Sequence, residues 1–424
     1  MTTPDDKIVS ANRAPAAFTS SHNLAPTSSV SDARSASVLR SLPAPLDRPG
    51  VTFYAYGRAA LLDAIQLIGF TPGDSVLFPE YICREVTEYV QRFDLEARYY
   101  RLQANLSPNV EDLTSAIDRR TKAVIVVHYF GFPQPTILDL QEVCRSRGLS
   151  LLEDNAHGFL SCHKGRPLGS FGDAAIFSMR KTLRIRDGAA LLLNCPELLR
   201  RNLRNQNVPR ASRLVEWYWL LQGATMGVAS RHPALVWLGR RAKVRTGHIL
   251  RAFALRSERQ RNEGDWDIGR LSRGMSGRSM WELSRSNVAS IVGSRRQNYE
   301  HLLEWLGDAG DCHILWPRLA DGVCPLEFPL LVNDGERAIS ELQRRWIEAN
   351  YWPDLPGEVV GDRRRFTVAN YFREHLIRLP IDESLRVGGK DGRVVSNAGV
   401  VERLVAAYDG GRWGAVAMRF ARRR

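Results

Sequence analysis

Between residues 51 and 194, short apolar runs alternate with longer segments of helical spacing, and this alternation constrains the fold more than any other feature of the chain. "VTFYAYGRAALLDAIQLIGF" carries a helix over 59–69 that stops at the turn signal "TPGD", and "SVLFP" follows as a short buried strand. "CREVTEYVQRF" has helical spacing, "EARYYRL" reads as a strand, and "NVEDLTSAIDRR" is helical again. The run "KAVIVVHYFG" suits a parallel strand and leads into the helix "TILDLQEVCRSRG". Three further apolar runs follow: "LSLLED", "AAIFSM" and "AALLLN". Strands that are apolar throughout and separated by helices predict a parallel or mixed sheet covered on both faces. Sites in such sheets gather at the carboxyl ends of the strands. His128, Asp154 and Lys181 each fall at or just past such an end.

The rest of the chain divides around this α/β region, which spans 49–195. Residues 1–48 are rich in Ser, Ala, Pro and Thr and lack periodicity, so a flexible N-terminal arm is expected. Residues 196–270 mix tryptophan, leucine and arginine at roughly helical spacing and predict a basic helical insertion. It could make a peripheral contact with a membrane, or pack on the body or on a second subunit with arginine stems covering apolar surface. Residues 271–410 predict a smaller C-terminal α+β domain, from the helix "ASIVGSRRQNYEHLLEWL", the strand "CPLEFPLLV", the helix "GERAISELQRRWIEAN" and the strand "HLIRLPI". A basic tail occupies 411–424.

The formal charge of +13 favours anionic partners. Much of the basic excess lies outside the apolar core segments, however, and nucleic acid is not expected among the partners. The six cysteines form no C-x-x-C pair, and several sit in apolar runs, as buried free thiols of a reducing cytoplasm would. No run approaches the ~20 apolar residues of a membrane helix. "MTTPDDKIVS" lacks the basic head and apolar block of a secretory signal. A cytoplasmic protein without a metal centre is the expectation.

Lys181 is one of six lysines beside 53 arginines, and Arg180, Arg184 and Arg186 flank it. An amine attacks carbonyls when its pKa is lowered, or condenses with an aldehyde cofactor. Arginine can do neither. "LLEDNAHGF" sets Asp154 at the end of an apolar strand, where it could cap a turn. It could equally hold a protonated ring nitrogen: pyridoxal phosphate needs such a carboxylate together with a lysine.

"AVIVVHYFGFP", "LLEDNAHGF", "GRPLGSFGDAAIFSMRKTL" and "DGAALLLN" together resemble the DegT/DnrJ/EryC1/StrS family, the sugar aminotransferases of pyridoxal-phosphate fold type I. "RRQNYEHL", "YWPDLP" and "HLIRLPIDESL" are similar to family segments nearer the C-terminus, so the resemblance covers roughly 50–195 and 275–405. It implies a large, mostly parallel sheet of the seven-stranded type flanked by helices, followed by a smaller α+β domain. It implies pyridoxal 5'-phosphate as cofactor, Lys181 as the lysine that carries it, and Asp154 as partner of the pyridinium nitrogen. By the same resemblance His157 stands against the ring and its phenolic oxygen, and Ser178 binds the phosphate. "YGRAAL" replaces the family's small hydroxyl residue with Arg58, so Gly57 and Arg58 open a helix whose backbone N–H groups suit phosphate. In "FPEYICREV" the family's stacking aromatic is replaced by Cys83, and Tyr81 either supplies the ring or sits in the core.

The implied activity is transfer of an amino group, typically from glutamate, to a keto group of a nucleotide-linked sugar in polysaccharide or secondary-metabolite biosynthesis, by a homodimer. A non-sugar ketone as acceptor and a non-catalytic binding protein on the same scaffold remain the alternatives.

Overall fold

The computed structural model describes residues 42–183, 185–205, 274–306, 312–344 and 349–382, with two short pairs at 387–388 and 394–395. Most of the expected arm and insertion, Arg184 and the basic tail lie outside the described residues.

The first part of the chain winds into a sheet through β1 (Val51–Tyr54), α1 (Gly57–Ile68), β2 (Ser75–Pro79), α2 (Arg84–Gln91), β3 (Glu96–Tyr100), α3 (Val110–Ala116), β4 (Thr121–Val127), α4 (Ile137–Arg147) and β5 (Ser150–Asn155). A two-residue hairpin, β6 (Cys162–His163) and β7 (Arg166–Pro167), precedes β8 (Ala174–Phe177), the one-turn α5 (Met179–Thr182), β9 (Ala189–Leu193) and α6 (Pro196–Asn205). The seven strands lie in the order β1-β9-β8-β5-β4-β2-β3. Strands β8, β5, β4, β2 and β3 are parallel neighbours, while β9 runs against both β8 and β1. The carboxyl end of β1 therefore lies at the same edge as those of β5 and β8.

The central strands are buried along almost their whole length. Every residue of β2, β8 and β9 is buried, and in β4 only Lys122 is exposed. Such strands need helices on both faces, which is why continuous apolar runs predicted them. The edge strands β1 and β3 are only partly buried. Helix α6 opens the segment expected as an insertion but packs on the large domain, where Arg201 donates to the carbonyls of Leu67 and Ile68 at the end of α1.

The C-terminal part contributes α7 (Gly277–Ser284), α8 (Val288–Leu306), β10 (Cys312–Ile314), β11 (Glu327–Val332), α9 (Gly335–Arg344), β12 (Asn350–Tyr351), α10 (Gly357–Gly361), α11 (Thr367–His375) and β13 (Leu376–Pro380). Its sheet is antiparallel throughout, in the order β10-β11-β13-β12.

Two contacts lock the domains together near the sheet edge. After β4 the chain makes a tight turn with Phe130 and Gly131 at φ 54° and 96°. The Phe130 carbonyl accepts the Leu326 N–H at 2.8 Å. The Ser161 hydroxyl bonds the Gly131 carbonyl at 2.7 Å and accepts the Cys324 N–H at 2.9 Å. A Cβ on Gly131 would stand 2.3 Å from the Cys324 carbonyl oxygen, so both the backbone conformation and the close approach require glycine there. The second contact is Glu80, just past β2, which accepts the N–H groups of Leu102 at 2.7 Å and Ala369 at 3.2 Å. Burial pushes its carboxyl up to about 7, against the pull of those two N–H groups.

Two predictions follow from these contacts. Gly131→Ala should cost at least ~2 kcal/mol more in denaturant unfolding than Gly148→Ala, because Gly148 is left-handed at φ 66° but has nothing within 4 Å of a Cβ. Equal losses would contradict the close approach. Because the folded pKa of Glu80 lies above its unfolded value, the native state holds the extra proton between about 4.5 and 7. This group's contribution to stability therefore falls as pH rises through that window. Glu80→Gln should flatten the slope there by a total of order 3 kcal/mol, and an unchanged slope would contradict it.

Candidate active site

Glu153, the fourth residue of β5, is fully buried and takes four hydrogen bonds. One carboxylate oxygen accepts Phe171 N–H at 2.6 Å and Gly172 N–H at 2.5 Å. The other meets Gly169 N–H at 2.8 Å and His128 Nε2 at 3.0 Å. His128 Nδ1 accepts the Gln134 N–H at 3.1 Å, so Nε2 carries the hydrogen donated to Glu153. Burial would raise the Glu153 pKa, but His128 and the N–H groups of Gly172 and Gly169 hold it below the ordinary value. His128 thus points into the sheet edge as a structural partner, and the side chains beyond it are those that face a cavity.

That cavity, of about 170 Å³, lies over the carboxyl ends of the strands. Gly57 and Arg58 reach it from the start of α1, Cys83 from the start of α2, and Asp154 and His157 from the end of β5. Ser178 and Lys181 reach it from the end of β8 and from α5. The strand expected over "AAIFSM" stops at Phe177, and the helical turn that follows carries Lys181 three residues past Ser178. Strands β5 and β8 are parallel neighbours with Asp154 opposite Ile176, which sets the carboxylate and the amine at one edge.

Lys181 is open to the cavity, which makes it exposed by area, yet protein encloses it on its other sides. That enclosure lowers its pKa, with Asp154, Cys83 and Glu327 pulling it back up. Burial raises the Asp154 pKa, and the Lys181 charge opposes it most strongly. One Asp154 oxygen accepts the Ala156 N–H at 2.9 Å. His157 is buried against Phe130, with ring centroids 5.6 Å apart, and against Trp352 at 4.6 Å. Its Nδ1 accepts the Phe130 N–H at 3.4 Å, which leaves Nε2 to carry the hydrogen. Burial and the charges of Lys181 and Arg378 keep its pKa well below the ordinary value, so the ring is a neutral donor.

The donor set fits pyridoxal phosphate. Tyr56 leaves the N-terminus of α1 without a side-chain cap, and Gly57 and Arg58, the first residues of that helix, line the cavity together with Ser178. A phosphate there would also lie near Arg58, whose Nη1 is 3.4 Å from Glu85. A carboxylate for a ring nitrogen, a neutral imidazole for a ring oxygen and an amine of lowered pKa complete the set.

Tyr81 does not line this cavity. Its side chain is fully buried among Tyr129, Trp352 and Phe372, and its hydroxyl donates to the Trp352 carbonyl. Of its two expected places the core is the one it takes, because the chain turns at Cys83 to start α2 and it is Ile82, Cys83, Glu85 and Val86 that line the cavity. The aromatic side chains that line the cavity besides His157 are Tyr56, at the start of α1, and Trp352, from the C-terminal domain. Sequence reasoning passed over Trp352, although "YWPDLP" holds a tryptophan within one of the resembling segments. Also missed were Glu327 and Arg378, charges that interrupt the apolar strands "LEFPLLV" and "LIRLP" and meet each other at 2.7 Å. Opposite charges inside two apolar strands were the available signal.

Residues 51–227 match the sequence pattern of the DegT/DnrJ/EryC1/StrS aminotransferase family. The chain is 32% identical over 159 residues to a dTDP-4-dehydro-2,3,6-trideoxy-D-glucose 4-aminotransferase of Saccharopolyspora spinosa, covering 37% of this chain and 41% of that protein. It is 32% identical over 173 residues to a GDP-perosamine synthase of Vibrio cholerae, covering 40% and 46%. The matched stretch thus spans less than half the length of these relatives. The fold extends further. The crystal structure of the aminotransferase TlmJ from Streptoalloteichus hindustanus superposes with a TM-score of 0.62 over 88% of this chain and 89% of that one, at 19% identity. Over 51–227 the chain is therefore similar to the DegT/DnrJ/EryC1/StrS aminotransferase family.

Proposed function

We propose that this protein is a pyridoxal-phosphate-dependent aminotransferase that passes an amino group from an amino acid such as glutamate to a keto group of a nucleotide-linked sugar, working as a cytoplasmic homodimer. The observation that carries the proposal is the convergence of Lys181, Asp154, His157, Ser178 and the uncapped start of α1 on one cavity. The two curated relatives are named for sugar nucleotides, which supports a keto sugar as acceptor.

When bound, pyridoxal phosphate supplies a carbonyl for amines and an electron sink for the carbon beside them. The chain's own groups do the rest. The first-turn N–H groups of α1 and the Ser178 hydroxyl would hold the phosphate. The Asp154 carboxylate would hold a proton on the ring nitrogen, and His157 Nε2–H would donate to the ring oxygen. Lys181 Nζ, its pKa lowered by burial, can shed its proton to act as nucleophile and can then carry a proton to and from the substrate carbon. Trp352, Ile125 and Val127 line the cavity with apolar surface, against which the apolar part of a cofactor ring could pack.

Purified protein supplied with pyridoxal phosphate should gain a visible absorbance that shifts on adding glutamate, and Lys181→Ala should abolish it. A wild type that stays colourless would overturn the proposal. Because Lys181 is depressed, the rate of cofactor capture should level off below the ordinary lysine range near ~10.4. Asp154→Asn removes the negative charge that raises the lysine, so its plateau should move to still lower pH and its cofactor affinity should drop. A capture rate still climbing past the ordinary range would contradict the assigned electrostatics.

A further inference from the structure

The C-terminal domain meets the large domain along two seams of different quality. At the first, the Phe130 carbonyl holds the Leu326 N–H at 2.8 Å and the Cys324 carbonyl crowds Gly131, so backbone lies directly on backbone. The second runs from the end of β2 and from α2 to α10 and α11. There Arg84 meets Asp354 at 3.0 Å with both side chains at least half exposed, Gln91 donates to Glu358 at 2.9 Å on the surface, and Arg365 reaches the Tyr99 carbonyl at 3.4 Å. Exposed pairs of this kind hold little. The buried polar link of the second seam is Glu80. We propose that Glu80 is a proton-linked latch: the C-terminal domain undocks along the second seam while pivoting on the first, and water reaching the Glu80 carboxylate drives the undocking.

Glu80 is 1% exposed, and its two oxygens are bound by different domains. One accepts the Leu102 N–H at 2.7 Å, the other the Ala369 N–H at 3.2 Å. Ala369 is the third residue of α11, whose N-cap Phe366 makes no side-chain cap bond. Glu80 therefore supplies, from across the seam, the anionic acceptor that this helix start lacks in its own domain. Undocking breaks the longer bond, to Ala369, and leaves the shorter one within the large domain.

Burial is the largest influence on the Glu80 carboxyl, and it outweighs the two N–H bonds that favour the charged form. The charged groups that face it oppose each other: Asp112 on α3 raises its pKa and Arg101, after β3, lowers it, and these two are themselves joined at 2.7 Å. Tyr129, past β4, is buried, and its own pKa is raised well above the ordinary value, so it stays neutral. Docked, the Glu80 carboxyl keeps its proton up to about 7, whereas a hydrated one would lose it near the ordinary 4.5. The docked form binds the extra proton across that window, so rising pH favours the undocked form.

Undocking reaches the site through the next residue. The Tyr81 hydroxyl donates to the Trp352 carbonyl, and the two rings lie 5.5 Å apart. Trp352 packs on His157 with centroids 4.6 Å apart. It lines the cavity over the strand ends and also a second cavity, of about 240 Å³, that adjoins it. Withdrawing this segment opens both cavities, so closing the site takes up a proton near neutral pH.

Hydrogen exchange of the full chain tests the latch without any ligand. The Ala369 N–H has Glu80 as its acceptor, so its exchange reports the latch itself. It should exchange faster than the amides of β4, through an opening short of global unfolding. After correction for the intrinsic rate, its protection should fall by at least about tenfold between about pH 5 and about pH 8. Glu80→Gln, neutral at every pH, should give a flat profile. Exchange of Ala369 only in step with β4, protection that does not fall with pH, or a fall that persists in Glu80→Gln would each overturn the latch. Should Glu80→Gln fail to fold, the wild-type pH profile and its comparison with β4 decide the matter by themselves.

Discussion

The buried carboxylate of Glu153 organises the edge on which the whole site is built. Its two oxygens collect three backbone N–H groups from residues 169–172 and the imidazole of His128. The segment between β5 and β8 must therefore fold back over the end of its own strand. That return fixes where Asp154 and His157 leave the sheet, and it brings β8 in parallel beside β5 with Ser178 and Lys181 following. The bonds go to a charged acceptor in a dry interior, where each contributes more than a neutral bond and where an unpaired charge would be costly. The same carboxylate orients His128, whose Nδ1 takes the Gln134 N–H and so secures the turn through Phe130 and Gly131.

That turn links the sheet to chemistry in two directions. Toward the cavity, Phe130 N–H sets the tautomer of His157 and its ring packs on the imidazole. Toward the C-terminal domain, its carbonyl holds Leu326, next to Glu327, while Gly131 lets the Cys324 carbonyl approach closely. The two cavities are consequently built from rigid neighbours: one wall from the carboxyl ends of parallel strands, the other from the antiparallel pair β11 and β13. Electrostatics follows from this geometry. Enclosure lowers the pKa of the Lys181 amine and raises that of the Asp154 carboxyl, while each opposes the shift in the other, the arrangement expected where a nucleophile and an ion-pair partner must both work near neutral pH.

The parallel core was legible because burial on both faces leaves continuous apolar runs: β2, β4, β5, β8 and β9 all fall within the segments that the pattern picks out. Strand β1 and the short β10 and β12 were not, since partial burial or a length of two or three residues leaves no periodicity to detect. The one-turn α5 and the five-residue α10 were missed for the same reason of length. At the site, Lys181, Asp154, His157 and Ser178 could be singled out by chemistry and by resemblance, and the fold brings all four to one cavity. Tyr81 misled because sequence shows an aromatic near the right place but not which way it points. Trp352, Glu327 and Arg378 escaped because they arrive from a domain more than 140 residues downstream of Lys181, and only tertiary packing reveals that they share its surroundings.

The central claim is that Lys181 is the residue that takes up the cofactor, and chemical trapping tests it most directly. Protein incubated with pyridoxal phosphate, reduced with borohydride and digested should yield one modified peptide, with the cofactor's added mass on Lys181. An unmodified Lys181 peptide, or modification spread over Lys122, Lys164 and the other lysines, would contradict the account.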